Sequence, residues 1–204
     1  MATTDLPASA SVTAAPVVIA DPGPLGLSAF ALTTFVLSAA NADLIDASVK
    51  TVVLSLALFY GGAVQVVAGI WEFRKGNTFG ATAFSSYGAF WLSYWGLSVF
   101  FKPAAGTSAD TVDKALGYFL LGWTIFTVIM LVASLRTNAA LVATFIALTV
   151  TFVFLVLGHF NHSTSLEKFG GWLGILTALC AWYTAAAGVI QESWKRPVLP
   201  IGRI

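Results

Sequence analysis

Charge is what this 204-residue chain has least of: Asp, Glu, Lys and Arg make up 9% of it and balance to a formal net charge of +1. With no basic run either, the composition argues against nucleic acid and an anionic membrane surface as partners. A lone cysteine, Cys180, cannot form an intrachain disulfide. His159 and His162, in GHFNH, have a spacing compatible with shared metal ligation, but no Asp, Glu or Cys lies beside them in sequence, so no metal site is expected. No nucleophile with a base and no metal triad stands within the apolar stretches, which argues against a membrane-embedded enzyme, and no cofactor is expected.

What the chain has instead is apolar length. Hydrophobic residues make up 58% of it, and the mean hydropathy is +0.86, so the composition is that of an integral membrane protein. A hydrocarbon core needs about 20 apolar residues per helix, and six segments meet that length: Leu25 to Ala42, Thr51 to Phe73, Ala81 to Phe101, Ala115 to Leu135, Ala139 to Gly158, and Phe169 to Ile190. The expected fold is an all-α polytopic membrane protein over residues 21–204. Residues 1–20 lack the basic start of a signal peptide and carry Pro7 and Pro16, so they read as a disordered arm. Six spans put both termini on one side. That side collects Arg74, Lys75, Arg136, Lys195, Arg196 and Arg203 against Lys50, Lys102, Lys114 and Lys168, which predicts cytoplasmic termini. Trp71, Trp172 and Trp194 fall near segment ends, as in interfacial belts.

The stretch Phe59 to Ser93, FYGGAVQVVAGIWEFRKGNTFGATAFSSYGAFWLS, puts glycines, Gln65, Glu72 and a GNTFG turn into membrane-grade sequence. Lipid alone gives no reason for that pattern, whereas another helix or a watered path does. Gly62, Gln65, Gly69 and Glu72 share one face of the second helix. They read as a packing seam, with Glu72 pairing with Arg74 or Lys75 or, alternatively, relaying protons. Gly170, Gly174, Ala178, Ala181 and Ala185 form a similar stripe on the last helix. Both faces offer surfaces for assembly, and whether the partner helix belongs to the same chain or to a neighbour is left open.

Ahead of the first helix, Asp21-Pro22-Gly23-Pro24-Leu25-Gly26-Leu27 combines an acidic residue with two prolines bracketing a glycine. It reads as a capped helix start whose amides could also meet an anion. DPGPLGLSAF (Asp21 to Phe30) resembles the NPAPLGL signature of the acetate uptake transporter family, the GPR/FUN/YaaH family. The Phe59 to Ser93 block, WTIFTVIMLVASLRTN (Trp123 to Asn138), GGWLGILTALCAWYTAAAG (Gly170 to Gly188) and VLPIG (Val198 to Gly202) resemble later parts of that family in order. Asp21 stands where the family usually has Asn, and Gly23 where it usually has Ala.

The resemblance implies a six-helix protomer in a hexamer that carries acetate, and sometimes succinate, across the plasma membrane, as an anion channel or a proton symporter. It puts a hydrophobic constriction at Phe30, Tyr87 and Leu148 and a size-limiting small residue at Ala181. Since no Lys or Arg lies in the segment interiors, attraction for a carboxylate is expected from helix N-termini. These follow Pro24 (Leu25, Gly26) and Asn77-Thr78. Other readings are an ammonium-linked or small neutral solute path, or a non-transporting membrane assembly protein.

Overall fold

The computed structural model describes residues 19–46 and 48–202. The arm expected over residues 1–20 falls outside them as far as residue 18. Six long helices account for the described chain: α1 Gly23–Asn41, α2 Val53–Lys75, α3 Thr78–Phe100, α4 Ala109–Ser134, α5 Ala139–Asn161 and α6 Thr164–Trp194. All but α3 are long and apolar enough to cross a membrane. With 23 residues α3 also has the length, about 35 Å, but its Gly, Ser, Tyr and Trp lower its hydropathy. That is the composition of a helix facing something other than lipid.

Several helices begin earlier than their apolar segments because polar caps start them. The Gly80 amide donates to Asn77 Oδ1 (3.1 Å), Thr111 to Ser108 Oγ (3.2 Å), Leu141 to Asn138 Oδ1 (2.9 Å) and Leu166 to Ser163 Oγ (3.4 Å). Gly76, in the left-handed region with φ of 80°, ends α2. Within α2, residues Phe59–Val64 form a π-helical turn, which the apolar periodicity does not predict.

The helices close into a ring in which α1 lies between α2 and α6, α5 between α6 and α4, and α3 against α2. Small residues make the closest contacts. A Cβ at Gly171 would run into the Ala42 amide nitrogen, one at Gly174 into Ser38 Oγ, and one at Gly69 would lie 2.5 Å from the Ser85 amide nitrogen. The stripe on α6 therefore packs against α1 and α5 of its own chain, and the face of α2 bearing Gly62 and Gly69 packs against α3. The two seams that offered surfaces for assembly are filled by contacts within the chain itself.

At the opposite end from the described termini, α4, α5 and α6 meet at a charged corner. The histidines, without acidic neighbours in sequence, meet two carboxylates from the first turns of α4. His162 places Nδ1 3.0 Å from Asp113 Oδ2 and Nε2 3.0 Å from Asp110 Oδ1, while Lys114 holds Asp110 at 2.8 Å. His159 Nδ1 stands 3.6 Å from Asp113 Oδ1. Hydrogen bonds to Asp113 and then Asp110 raise the His162 pKa above its ordinary 6.5.

Two expectations follow. Gly171→Ala forces a side chain into the backbone of Ala42 and should destabilise the protein by about 1–3 kcal/mol or more, whereas Gly122→Ala enters open space and should not. Thermal melts of the two purified variants check this; equal behaviour would contradict the close α1–α6 contact. For His162, a raised native pKa means that the protonated ring's contribution is complete below pH 6.5 and is lost as pH rises through the raised value. The melting difference between His162→Ala and the parent should therefore be larger near about pH 5.5 than near about pH 9. A pH-independent difference would remove the imidazolium from the account.

Candidate functional site

Two cavities lie inside the ring, one toward each end. The first, of about 330 Å³, opens among the start of α1, the end of α2, the starts of α3 and α5, and the end of α6. The second, of about 370 Å³, opens toward the His–Asp corner and has His159 and Glu167 in its wall. Three residues line both: Phe30, Tyr87 and Leu148. They come from α1, α3 and α5, and each of these helices lines the first cavity on one side of its shared residue and the second on the other. Leu27 and Thr34 flank Phe30 in this way, Ala83 and Trp91 flank Tyr87, and Phe145 and Thr151 flank Leu148. The low hydropathy of α3 now has a cause, since it borders cavity along most of its length.

Tyr87 is held firmly. The Thr127 hydroxyl donates to the Trp123 carbonyl at 2.7 Å, which leaves its oxygen to accept from the Tyr87 hydroxyl at 2.9 Å. Around the ring stand Phe126 at 5.3 Å, Phe30 at 5.7 Å and Phe145 at 6.3 Å between centroids. Sequence reading missed this support from α4. The signal available was Thr124 and Thr127, polar residues three apart in an apolar helix.

The other expected residues divide. Pro24, Gln65, Glu72 and Asn77 line the first cavity. Ala181 is fully buried in the same core cluster as Phe30, Tyr87 and Leu148 but belongs to the wall of neither cavity. Leu25 is 44% exposed. Gly26 packs on the Phe84 ring, where a Cβ would come within 2.6 Å. Thr78 opens α3 without lining a cavity.

The charges at the first mouth correct the sequence reading. Lys75 pairs with Asp21 at 2.7 Å, and the Gly23 amide donates to the same Asp21 oxygen at 2.9 Å. Glu72, expected to pair with Arg74 or Lys75, does neither. It is 1% exposed, and its Oε2 finds no partner among the described residues. Asp21 lies 54 positions from Lys75, so local spacing gave no hint of the competition. Gln65 is equally buried, and its Oε1 also lacks a partner among the described residues. In the second cavity Thr34 Oγ1 and Trp91 Nε1 are in the same state.

The C-terminal segment completes the first mouth. The amides of Ala139 and Ala140, at the start of α5, donate to the carbonyls of Gly202 (2.7 Å) and Ile201 (3.0 Å), and the Tyr183 hydroxyl donates to the Pro200 carbonyl at 2.7 Å. Ile201 thereby reaches the cavity wall.

The chain is similar to known proteins over nearly its whole length. Acetate permease A of Emericella nidulans is 41% identical over 198 residues, covering 89% of this chain and 65% of the relative. The succinate-acetate/proton symporter SatP of Escherichia coli is 37% identical over 184 residues, covering 90% of this chain and 96% of that protein. A solved structure of the bacterial acetate channel SatP matches with a TM-score of 0.83 and 37% identity, over 91% of this chain and all of that one. The chain spans 61–65% of the length of the first yeast and mould relatives it matches. The pattern of the GPR1/FUN34/yaaH family matches residues 6–201, and with the shared six-helix fold this establishes that the chain belongs to the GPR1/FUN34/yaaH family.

Proposed function

We propose that this chain carries acetate, and related small carboxylates such as succinate, across the plasma membrane by a path inside each protomer. The observation that supports this reading is that two cavities at opposite ends share, among the described residues, only Phe30, Tyr87 and Leu148. The path runs from the first cavity, past these three side chains, to the second. Similarity to an acetate permease and to the SatP acetate channel supports the choice of substrate.

The neck is apolar on two sides and carries one hydroxyl already engaged with Thr127. A passing molecule sheds water there and finds little to replace it. A methyl-bearing carboxylate loses less than a small hydrated inorganic anion does. Ala181 packs behind the neck and limits how far the three side chains can move apart. The first mouth faces the cytoplasm, with Arg74, Lys75, Arg136, Lys195 and Arg196 on that side, and six protomers form a ring in which each keeps its own path.

Truncating the neck tests the reading. Leu148→Ala and Phe30→Ala should each admit larger monocarboxylates, seen as lactate competing with labelled acetate for uptake into vesicles carrying the variants. Competition by succinate and ammonium in the parent separates carboxylate transport from the ammonium-linked alternative. A variant pair that expresses normally and keeps the parent's profile and rate would remove the neck from these residues.

A further inference from the structure

We infer that Glu72 is the proton donor and acceptor for the cargo, so that the species crossing the neck is the neutral carboxylic acid. The inference rests on the transport path just proposed and adds to it the chemical form of the substrate and the residue that sets it.

Glu72 and Gln65 lie seven residues apart on one face of α2, and both line the first cavity at 1% exposure. Each presents an oxygen with no hydrogen-bond donor among the described residues. A carboxylate buried without a cation is costly, and the simplest relief is a proton. The charged groups that share this cavity do not supply the cation. Lys75 is engaged by Asp21 at 2.7 Å, Glu192 is itself an acid paired with Lys195, and Tyr87 gives its hydroxyl proton to Thr127. Asn77 is neutral: its oxygen accepts from the Gly80 amide, and its side-chain amide offers Glu72 a hydrogen bond but no charge, leaving Oε2 without a partner among the described residues.

Gln65 adds the second half of the recognition. Its Oε1 is an acceptor, and acetate has no hydrogen to donate to it. Acetic acid has one. Gln65 thus favours the neutral acid, and the exchange is one proton transfer: the Glu72 carboxyl O–H passes its proton to an acetate oxygen, leaving acetic acid in the cavity and Glu72 as a carboxylate whose burial cost drives it to take up the next proton. The neutral acid crosses the neck, where no basic side chain is present to stabilise an anion, and releases its proton to water in the second cavity. Glu72 is reprotonated by hydronium from the first mouth. Each turnover moves one acetate and one proton together, and run backwards the same steps carry both the other way.

Vesicles with the purified protein, and protein-free vesicles as the baseline for lipid leak, test this by following labelled acetate and internal pH together. Glu72→Gln, which keeps size and hydrogen bonding but holds no proton to exchange, should lower acetate flux near neutral pH on the order of a hundredfold and abolish acetate-linked proton entry. Glu72→Asp should restore proton entry with a displaced pH profile. If Glu72→Gln carries acetate with the parent's pH profile and proton coupling, or carries acetate alone at the parent's rate, the inference fails, although altered selectivity in Leu148→Ala would still uphold the neck. Should Glu72→Gln not fold, infrared difference spectra of the parent decide: acetate should remove a protonated-carboxyl band assigned by labelled glutamate, and an unchanged band overturns the role.

Discussion

A hydrocarbon solvent gives apolar helices no reason to prefer one another to lipid, so this bundle depends on how closely its backbones approach. Glycines at positions 69, 171 and 174 leave room for no side-chain carbon at all, and dispersion attraction between the closely apposed backbones replaces the hydrophobic effect that would hold a water-soluble bundle together. The seams join α6 to α1 and α2 to α3, and the contact of Gly61 with Thr33 joins α2 to α1, so that together they fix α1 and α3 relative to each other. Because these two helices carry Phe30 and Tyr87, the separation of the two rings depends on backbone packing as well as on the rings themselves. The large apolar side chains left outside, such as Tyr118, Ile125, Ile129 and Val132 on α4, suit a lipid surrounding.

The polar chemistry is correspondingly sparse and unevenly placed. At the first mouth an exposed pair, Asp21 with Lys75, ties the lead-in of α1 to the end of α2 and is worth at most about 1 kcal/mol. Its larger effect is on Glu72, which it leaves without the lysine three residues away. The carboxylate at Asp21 also occupies the Gly23 amide, so the start of α1 brings its own negative group. The second mouth reverses the arrangement, with one imidazole between two aspartates from another helix.

Much of the fold was legible because hydrophobic length and polar caps are local properties. Asn77 and Gly76 mark the α2–α3 turn as plainly in sequence as in space. That Phe30, Tyr87 and Leu148 come together was suggested only by resemblance, since Leu148 is an ordinary residue in an apolar helix until it is seen to border two cavities. What could not be read were pairings across distant sequence. His162 meets Asp110 and Asp113 over 52 and 49 positions, and Lys75 prefers an aspartate 54 positions away to the glutamate in its own helix. The π-helical turn at Phe59–Val64 escaped for a different reason: periodicity arguments assume 3.6 residues per turn, and this segment departs from it. There a Cβ at Gly61 would lie 2.5 Å from Thr33 Oγ1, so the widened turn is also a point of contact with α1.

That the two cavities touch at a single layer of three side chains has an electrical consequence. On the proposed path, water filling both cavities would conduct, so the membrane voltage would not fall evenly over the bilayer's thickness but would concentrate across Phe30, Tyr87 and Leu148. An ion stepping over that layer feels nearly the whole potential, about 2.3 kcal/mol for each elementary charge per 100 mV. An uncharged molecule feels none, and for it the layer is a barrier of size and dehydration alone.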